Sequence, residues 1–206
     1  MEIEYFRSAS IGILDPTPWN NRGLFVIIQN VMIFDPKHKI INYQQAEKRA
    51  GILKKQGKKL VMLSGVFDIF HIGHIMTLTK ARQMGDVLFV SLGSDKTVQT
   101  IKGKTRPIIT EDLRASTLAG LEVVDFVIIA KEKVQMPSRI DFEKLLSKIK
   151  PHIFALGNKD KSIKEKRLLA KKYGAKLKLI DLSAKDFIPI SSTYIEKMIL
   201  AKNQKK

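Results

Sequence analysis

Gly65-Val66-Phe67-Asp68-Ile69-Phe70-His71-Ile72-Gly73-His74 is the stretch on which the reading of this chain turns. The apolar run before it, Leu60 to Leu63, reads as a buried strand, and the segment after it, Ile75 to Met84, has the period of a helix. The ten residues therefore sit where a strand hands over to a helix N-terminus. Free backbone N–H groups and the positive end of the helix dipole make such a junction an anion site. Gly65 and Gly73 are expected to let the main chain approach a ligand, and His71 and His74, three apart, to set two imidazoles on one side of the first turn. A polyphosphate is the ligand that such a turn suits.

Outward from this stretch the chain alternates strand and helix. Expected strands are Lys59 to Leu63, Val87 to Leu92, Phe126 to Ile129, Ile153 to Leu156 and Lys178 to Asp181. Expected helices are Tyr43 to Gln56, with Ala46, Ala50 and Leu53 on one face and Gly57 as its cap, Ile75 to Met84, Glu111 to Leu121, Asp141 to Ile149, and Lys164 to Tyr173 closed by Gly174. This alternation predicts an α/β fold: a parallel sheet with helices on both faces, its ligand at the carboxyl ends of the strands.

At 206 residues the chain suits one α/β domain with a modest appendage. Residues 37–206 read as that domain. Residues 1–36, with Asp15-Pro16-Thr17-Pro18-Trp19 and apolar stretches at Leu24 to Ile28 and Val31 to Phe34, read as an extension: an added hairpin, a disordered arm, or a segment upstream of a start at Met32. Those apolar stretches are too short to span a bilayer and lack the flanks of a secretory signal, so a cytoplasmic protein without membrane contact is expected. The absence of cysteine excludes disulfides, thiolate metal sites and a Cys nucleophile.

The net charge of +17 is uneven, with 15 basic and 5 acidic residues between Lys131 and Lys178. A field of that sign draws anionic substrates and, nonspecifically, nucleic acid; it is also what a lysine-rich solvated surface looks like. A non-catalytic nucleic-acid-binding protein is thus an alternative of another class. Four tyrosines and one tryptophan are few for base stacking and argue against it.

Gly65, Phe67, Asp68, His71, Gly73 and His74 occupy every fixed position of G-x-F-D-x-x-H-x-G-H, and on these residues the chain resembles the cytidylyltransferase-like nucleotidyltransferases. The resemblance extends over residues 38 to 200. It implies a Rossmann-like sheet, an NTP that gives its nucleotidyl group to a phosphorylated acceptor, and release of pyrophosphate, with Mg²⁺ accompanying the NTP and no protein metal site. It also implies a homodimer.

The resemblance assigns catalysis to His71, His74 and Lys102, and nucleotide binding to Gly65, Val66, Phe67, Asp68, Gly73, Asp95, Arg106, Arg114, Gly157, Asn158, Ser191, Ser192 and Thr193. Read from the residues alone, several of these carry two roles. The loop Ile101 to Ile108, with Lys102, Lys104 and Arg106 close together, is either a basic surface loop or a cover for a triphosphate. Asp95 either binds ligand hydroxyls or caps the helix after it, and Arg114 either reaches phosphates or pairs with a neighbouring acid. The hydroxyls of Ser191, Ser192 and Thr193 either cap the last helix or bind the β- and γ-phosphates. For Leu121 to Asp125 the resemblance implies packing and subunit contact. Asp68 reads as orienting the loop.

In detail the chain is most similar to the adenylyltransferase domain that acts on heptose 1-phosphate with ATP. The similarity lies in the Lys55-Gln56-Gly57-Lys58-Lys59 lead, Lys102-Gly103 with Arg106-Pro107-Ile108, Leu121 to Asp125, and Lys150-Pro151. It departs from that pattern at Leu156-Gly157-Asn158-Lys159-Asp160, where K-G-G-D-Y is usual, and at Ile188-Pro189, where E-G is usual. CTP and glycerol 3-phosphate or a similar polyol phosphate form the alternative pairing, although Glu122 and Asp186-Phe187-Ile188-Pro189 depart from those enzymes. Leu156-Gly157 is similar to archaeal-type FAD synthetases, and the Ile-Ser-Ser-Thr run to phosphopantetheine adenylyltransferases.

Overall fold

The computed structural model describes residues 24–28, 31–158, 160–182 and 190–203. Its elements run β1 (Leu24–Ile28), β2 (Val31–Asp35), a 3-10 turn (Pro36–Lys39), α1 (Tyr43–Lys55), β3 (Leu60–Gly65), α2 (Ile72–Arg82), β4 (Val87–Gly93), α3 (Asp95–Lys102), α4 (Glu111–Ala119), β5 (Phe126–Ala130), α5 (Glu143–Ile149), β6 (Ile153–Gly157), α6 (Ile163–Lys172), β7 (Lys176–Ile180) and α7 (Ser192–Asn203).

The five strands β3 to β7 pair in parallel in the order β5-β4-β3-β6-β7. Chain order runs outward from β3 to β5 and then returns to place β6 on the other side of β3, so the strand order reverses between β3 and β6. That reversal opens a crevice at the carboxyl ends of these two strands, the usual ligand position of such sheets. The Gly65 to His74 stretch leaves β3 at this crevice.

Central strands covered on both faces read as continuous apolar runs. Leu60 and Met62 face a core closed by Ala46, Ala50 and Leu53 of α1, Leu145, Leu146 and Ile149 of α5, and Leu169 of α6. Val61 and Leu63 face the opposite core, closed by Leu78 and Ala81 of α2 and Ala115, Leu118 and Ala119 of α4. The sheet is the Rossmann-like one expected, with helices on both faces.

Differences from the expected elements have local causes. α2 begins at Ile72 rather than Ile75 because the His71 side chain caps it. Helix α3 was not among the expected helices; Ser94 caps it, accepting from the Thr97 N–H at 3.2 Å, and Gly103, with φ 99, ends it. Lys102 is therefore the last residue of a helix, and the basic loop begins after it. β7 starts two residues earlier than expected, since its exposed Lys176 and Lys178 hide an edge strand in the sequence.

β1 and β2 form an antiparallel hairpin, with Phe25 opposite Phe34. Residues 1–23, the Asp186 to Pro189 stretch and Lys159 lie outside the described residues. Among the described residues no helix is long and apolar enough to cross a membrane. The Leu121 to Asp125 segment is packed into the domain: the Leu121 carbonyl accepts from Lys39 Nζ at 3.0 Å, and Asp125 Oδ2 accepts from the Leu88 N–H at 2.7 Å.

Candidate active site

His71 ends the strand-to-helix loop in extended backbone, and its Nδ1 accepts the Gly73 N–H at 3.1 Å. That bond fixes the tautomer: with Nδ1 an acceptor, the neutral ring carries its proton on Nε2, as an outward donor. His74, one turn on, stacks against His71 with ring centroids 3.9 Å apart and planes 22° from parallel. Phe67 and Phe70 complete its surroundings at 5.2 and 5.5 Å. Burial among these rings, followed by the neighbouring His71 and Lys102, lowers the His74 pKa to about 3, against a smaller opposing pull from Asp68. Burial also lowers His71. At neutral pH the pair is thus uncharged, and it acts on an anion through hydrogen bonds. His74 Nδ1 is buried with no partner among the described residues.

Gly65 also answers a packing demand. A Cβ at this position would stand 2.6 Å from the Phe67 ring, so the space that glycine leaves is filled by this chain's own phenylalanine. Phe67 adopts φ 51, a conformation that costs a non-glycine residue about 1–3 kcal/mol. In return its ring is buried and braces His74 edge-on. Gly73 lies inside the first turn of α2, where its N–H serves the His71 cap.

Asp68 is a buried hub. Its Oδ1 accepts the Ile108 and Ile109 N–H groups at 2.8 and 3.0 Å, and its Oδ2 meets Arg106 Nη1 at 2.5 Å. Burial alone would raise its pKa, but the Ile109 amide, the Arg106 guanidinium and the Ile108 amide together hold it below the usual carboxylate value. Arg106 Nη2 is bound to Glu196 of α7. The Arg106 guanidinium, expected to contact the triphosphate, is therefore committed to two carboxylates and clamps the basic loop between the histidine loop and α7.

Arg114 makes the ion pair with a neighbouring acid. It is 1% exposed, with Nη2 on Asp95 Oδ1 at 2.7 Å, Nε on the Ile109 carbonyl at 2.8 Å, and Nη1 on the Val66 and Gly93 carbonyls at 2.5 and 2.9 Å. Four acceptors leave it no fork for a phosphate, and it pins together the ends of β3 and β4. Asp95 is correspondingly its partner; the cap of α3 is Ser94, not Asp95.

At the start of α7, Ser191 Oγ accepts the Tyr194 N–H at 3.1 Å, and Ser192 Oγ donates to the Ile69 carbonyl at 3.2 Å. Thr193 is exposed. The capping role is thus present, and Ser192 brings this helix start against the histidine loop. Gly157 ends β6 with open space around it, and Asn158 donates its side-chain amide to Asp181 Oδ1 at 2.5 Å on the β7 side of the crevice.

A cavity of about 220 Å³ lies at the ends of β3 and β4, lined by Gly65, Val66, Gly93, Lys102, Arg139 and Asp141 among others. Lys102 is exposed as a residue, yet desolvation of its ammonium is the main cause that lowers its pKa; Arg106, Arg114 and Arg139 act in the same sense and Asp68 against it. Asp141 is 6% exposed and its Oδ2 has no hydrogen-bond partner. Burial raises its pKa, with the Thr97 hydroxyl pulling the other way. Lys166, also lining the cavity, is paired with Asp160 at 2.7 Å.

Sequence reasoning missed Arg139 and Asp141. Asp141 stands next to a helix start, where an acid is ordinary, and no local pattern marks Arg139, whose left-handed backbone (φ 55) appears only in three dimensions. Among the described residues no group of three or more His, Cys, Asp or Glu is arranged to hold a metal ion.

Fold and site together define a class: a Rossmann-like α/β domain of the nucleotidyltransferase type, with a histidine pair at the helix start beyond its first sheet strand. The chain belongs to the cytidylyltransferase-like family, whose model matches residues 62–198. It is 42% identical over 118 residues to the bifunctional protein HldE of Aliarcobacter butzleri, a match covering 57% of this chain and 23% of that protein. It is 40% identical over 130 residues to the HldE of Campylobacter jejuni subsp. doylei, covering 63% of this chain and 26% of that protein. The chain thus spans about a quarter of the length of these curated relatives.

Among solved structures, the lipopolysaccharide core biosynthesis protein from Thermoplasma volcanium is 34% identical, with a TM-score of 0.51, over 62% of this chain and 98% of that one. The pantoate-beta-alanine ligase from Francisella tularensis, at 20% identity and TM-score 0.52 over 76% and 75% of the two chains, shares the fold.

Proposed function

We propose that this protein transfers a nucleotidyl group, AMP from ATP, to a small phosphorylated acceptor of the sugar 1-phosphate class, heptose 1-phosphate being the first candidate, and releases pyrophosphate. The observation that carries the reading is the His71 turn: a tautomer fixed by its own helix cap, stacked on a neutral His74, at the crevice where the strand order reverses. The adenylyl and heptose parts rest on the segments shared with the heptose 1-phosphate adenylyltransferase domain. The name of the Thermoplasma relative supports a sugar acceptor. Such a reaction, fed by ATP, belongs in the cytoplasm.

In this reading a phosphate oxygen of the acceptor attacks the α-phosphorus in line, and the bond from that phosphorus to the bridging oxygen breaks. The electron pair leaves with pyrophosphate. The attacking oxygen is already ionised, so no general base is required, and rate enhancement comes from position and electrostatics. His71 Nε2–H and the His74 ring donate to the triphosphate, strengthening as charge builds on its oxygens. Lys102 supplies a cation, and the Ser191 to Thr193 helix start faces the leaving phosphates. Asp68, Arg106 and Arg114 position these groups without touching substrate. Mg²⁺ bound along with the nucleotide would supply further neutralisation of charge on its phosphates.

The test is pyrophosphate release with ATP or CTP against heptose 1-phosphate, glycerol 3-phosphate, FMN and phosphopantetheine. Turnover with ATP and a sugar phosphate is expected. Turnover only with CTP and glycerol 3-phosphate would replace the substrates. No release with any pair, together with salt-sensitive binding of RNA or DNA, would replace the function.

A further inference from the structure

The cavity at the ends of β3 and β4 contains polar groups that neither the sheet nor the triphosphate contacts use. Asp141 Oδ2 is sealed from solvent and unpaired, a rare state for a buried polar atom and one that calls for a reason. Arg139 makes no hydrogen bond or ion pair among the described residues, and it raises the positive potential at Lys102. Lys102 in turn is felt by His74 and lines this cavity, so one ammonium stands between the two halves of the site.

These groups have complementary needs. Two cations that form no ion pair among the described residues suit a phosphate, whereas a carboxylate oxygen accepts hydrogen bonds only and suits a hydroxyl. The size of the cavity favours a small ligand: about 220 Å³ is below the roughly 300–1,000 Å³ of sites for drug-sized ligands.

We propose that this cavity is the acceptor pocket and that Asp141 is its specificity-determining residue, with Lys102 and Arg139 holding the acceptor's phosphate while Asp141 Oδ2 accepts a hydrogen bond from a hydroxyl of a small polyol or sugar phosphate. The proposal rests on the nucleotidyl-transfer reading and deepens it. It places the attacking phosphate at Lys102, next to the α-phosphate that His71 and His74 face. No proton or electron beyond those of the in-line displacement is needed.

The experiment follows pyrophosphate release with ATP while varying glycerol 3-phosphate, heptose 1-phosphate, FMN and phosphopantetheine in turn, for the full chain and for Asp141→Leu, Asp141→Asn and Arg139→Gln. A small hydroxylated acceptor should support turnover. Asp141→Leu should raise its KM about 10- to 100-fold, the scale of losing a charge-assisted hydrogen bond. Asp141→Asn, which keeps an oxygen, should lose less, and the KM for ATP should stay within about twofold in all variants. Arg139 is partly exposed, so its variant folds even where a buried leucine does not, and it too should raise the acceptor KM. An unchanged acceptor KM in Asp141→Asn and Arg139→Gln, with an active parent, overturns the pocket and leaves nucleotidyl transfer standing. A parent that turns over only FMN or phosphopantetheine does the same. A parent that releases no pyrophosphate with any acceptor, whether ATP or CTP is supplied, overturns both.

Discussion

Asp68 and Arg106, 38 residues apart in sequence, meet at 2.5 Å in the interior and join the histidine loop to the basic loop. Because Asp68 also takes two backbone N–H groups, Asp68→Ala leaves a buried guanidinium and two amides short of an acceptor. Loss of about 3–5 kcal/mol is expected, the range for breaking a buried pair from one side. Urea unfolding measures it; a loss under 1 kcal/mol would show that the clamp is slack.

The two histidines separate by substitution. His71→Asn keeps a side-chain acceptor for the Gly73 N–H, so stability should stay within about 0.5 kcal/mol, whereas His71→Ala should lose about 1 kcal/mol with the cap. Both lack the Nε2–H donor. His74→Ala should lower kcat by about two to three orders of magnitude with the fold retained. Near-parental turnover in His71→Asn and His74→Ala, read alongside circular dichroism, would remove the pair from the mechanism.

Arg114 is expected to matter to the fold and not to the nucleotide. Arg114→Lys cannot reproduce its fork to Asp95 and three carbonyls, and a loss of several kcal/mol is expected at a buried, fully bonded site. At a temperature where the variant remains folded, its KM for ATP should match the parent within about twofold. A KM raised tenfold there would return Arg114 to phosphate binding.

Gly65→Ala sets a methyl 2.6 Å from the Phe67 ring. Overpacking of this kind costs about 1–3 kcal/mol, and the ring it displaces braces His74. Thermal melting should show the loss, and kcat should fall by more than the loss of folded protein explains. A variant with parental kcat would mean that the brace is unnecessary.

Acid sensitivity follows from His74. Its folded pKa of about 3 lies below the unfolded value near 6.5, so between these limits the unfolded chain takes up a proton that the folded chain refuses. Stability from this group is complete above about pH 6.5 and declines as pH falls toward 3. His74→Gln should show a smaller drop in Tm between pH 7 and pH 5 than the parent. Parallel Tm curves would contradict the burial assigned to this ring. Asp141 acts with opposite sign: its raised pKa withdraws stability as pH climbs through it, so Asp141→Asn should melt higher at pH 7 and lose that advantage in acid.

Much of this architecture could be read along the chain because its causes are local. A strand buried on both faces needs an apolar run, as at Leu60 to Leu63, and a helix against the sheet needs a stripe, as at Ala46, Ala50 and Leu53. The stacking of His71 on His74 likewise follows from a three-residue spacing at a helix start. Where two forces compete, sequence left the choice open. Arg114 meets Asp95, a contact that spans 19 residues of sequence and that no local pattern announces.

Sequence by itself determined the alternating elements, the strand-to-helix histidine turn and the family, since each depends on residue type and spacing within about one turn or one strand. Tertiary structure alone decided the order of the strands, the occupation of Gly65's space by Phe67, the commitment of Arg106 and Arg114 to internal acceptors, and the meeting of Lys102, Arg139 and Asp141 at one cavity. The physical reason is that charge and hydrogen-bond capacity are satisfied by whatever the fold brings within about 3 Å, and neighbours in space across the end of a sheet are strangers in sequence.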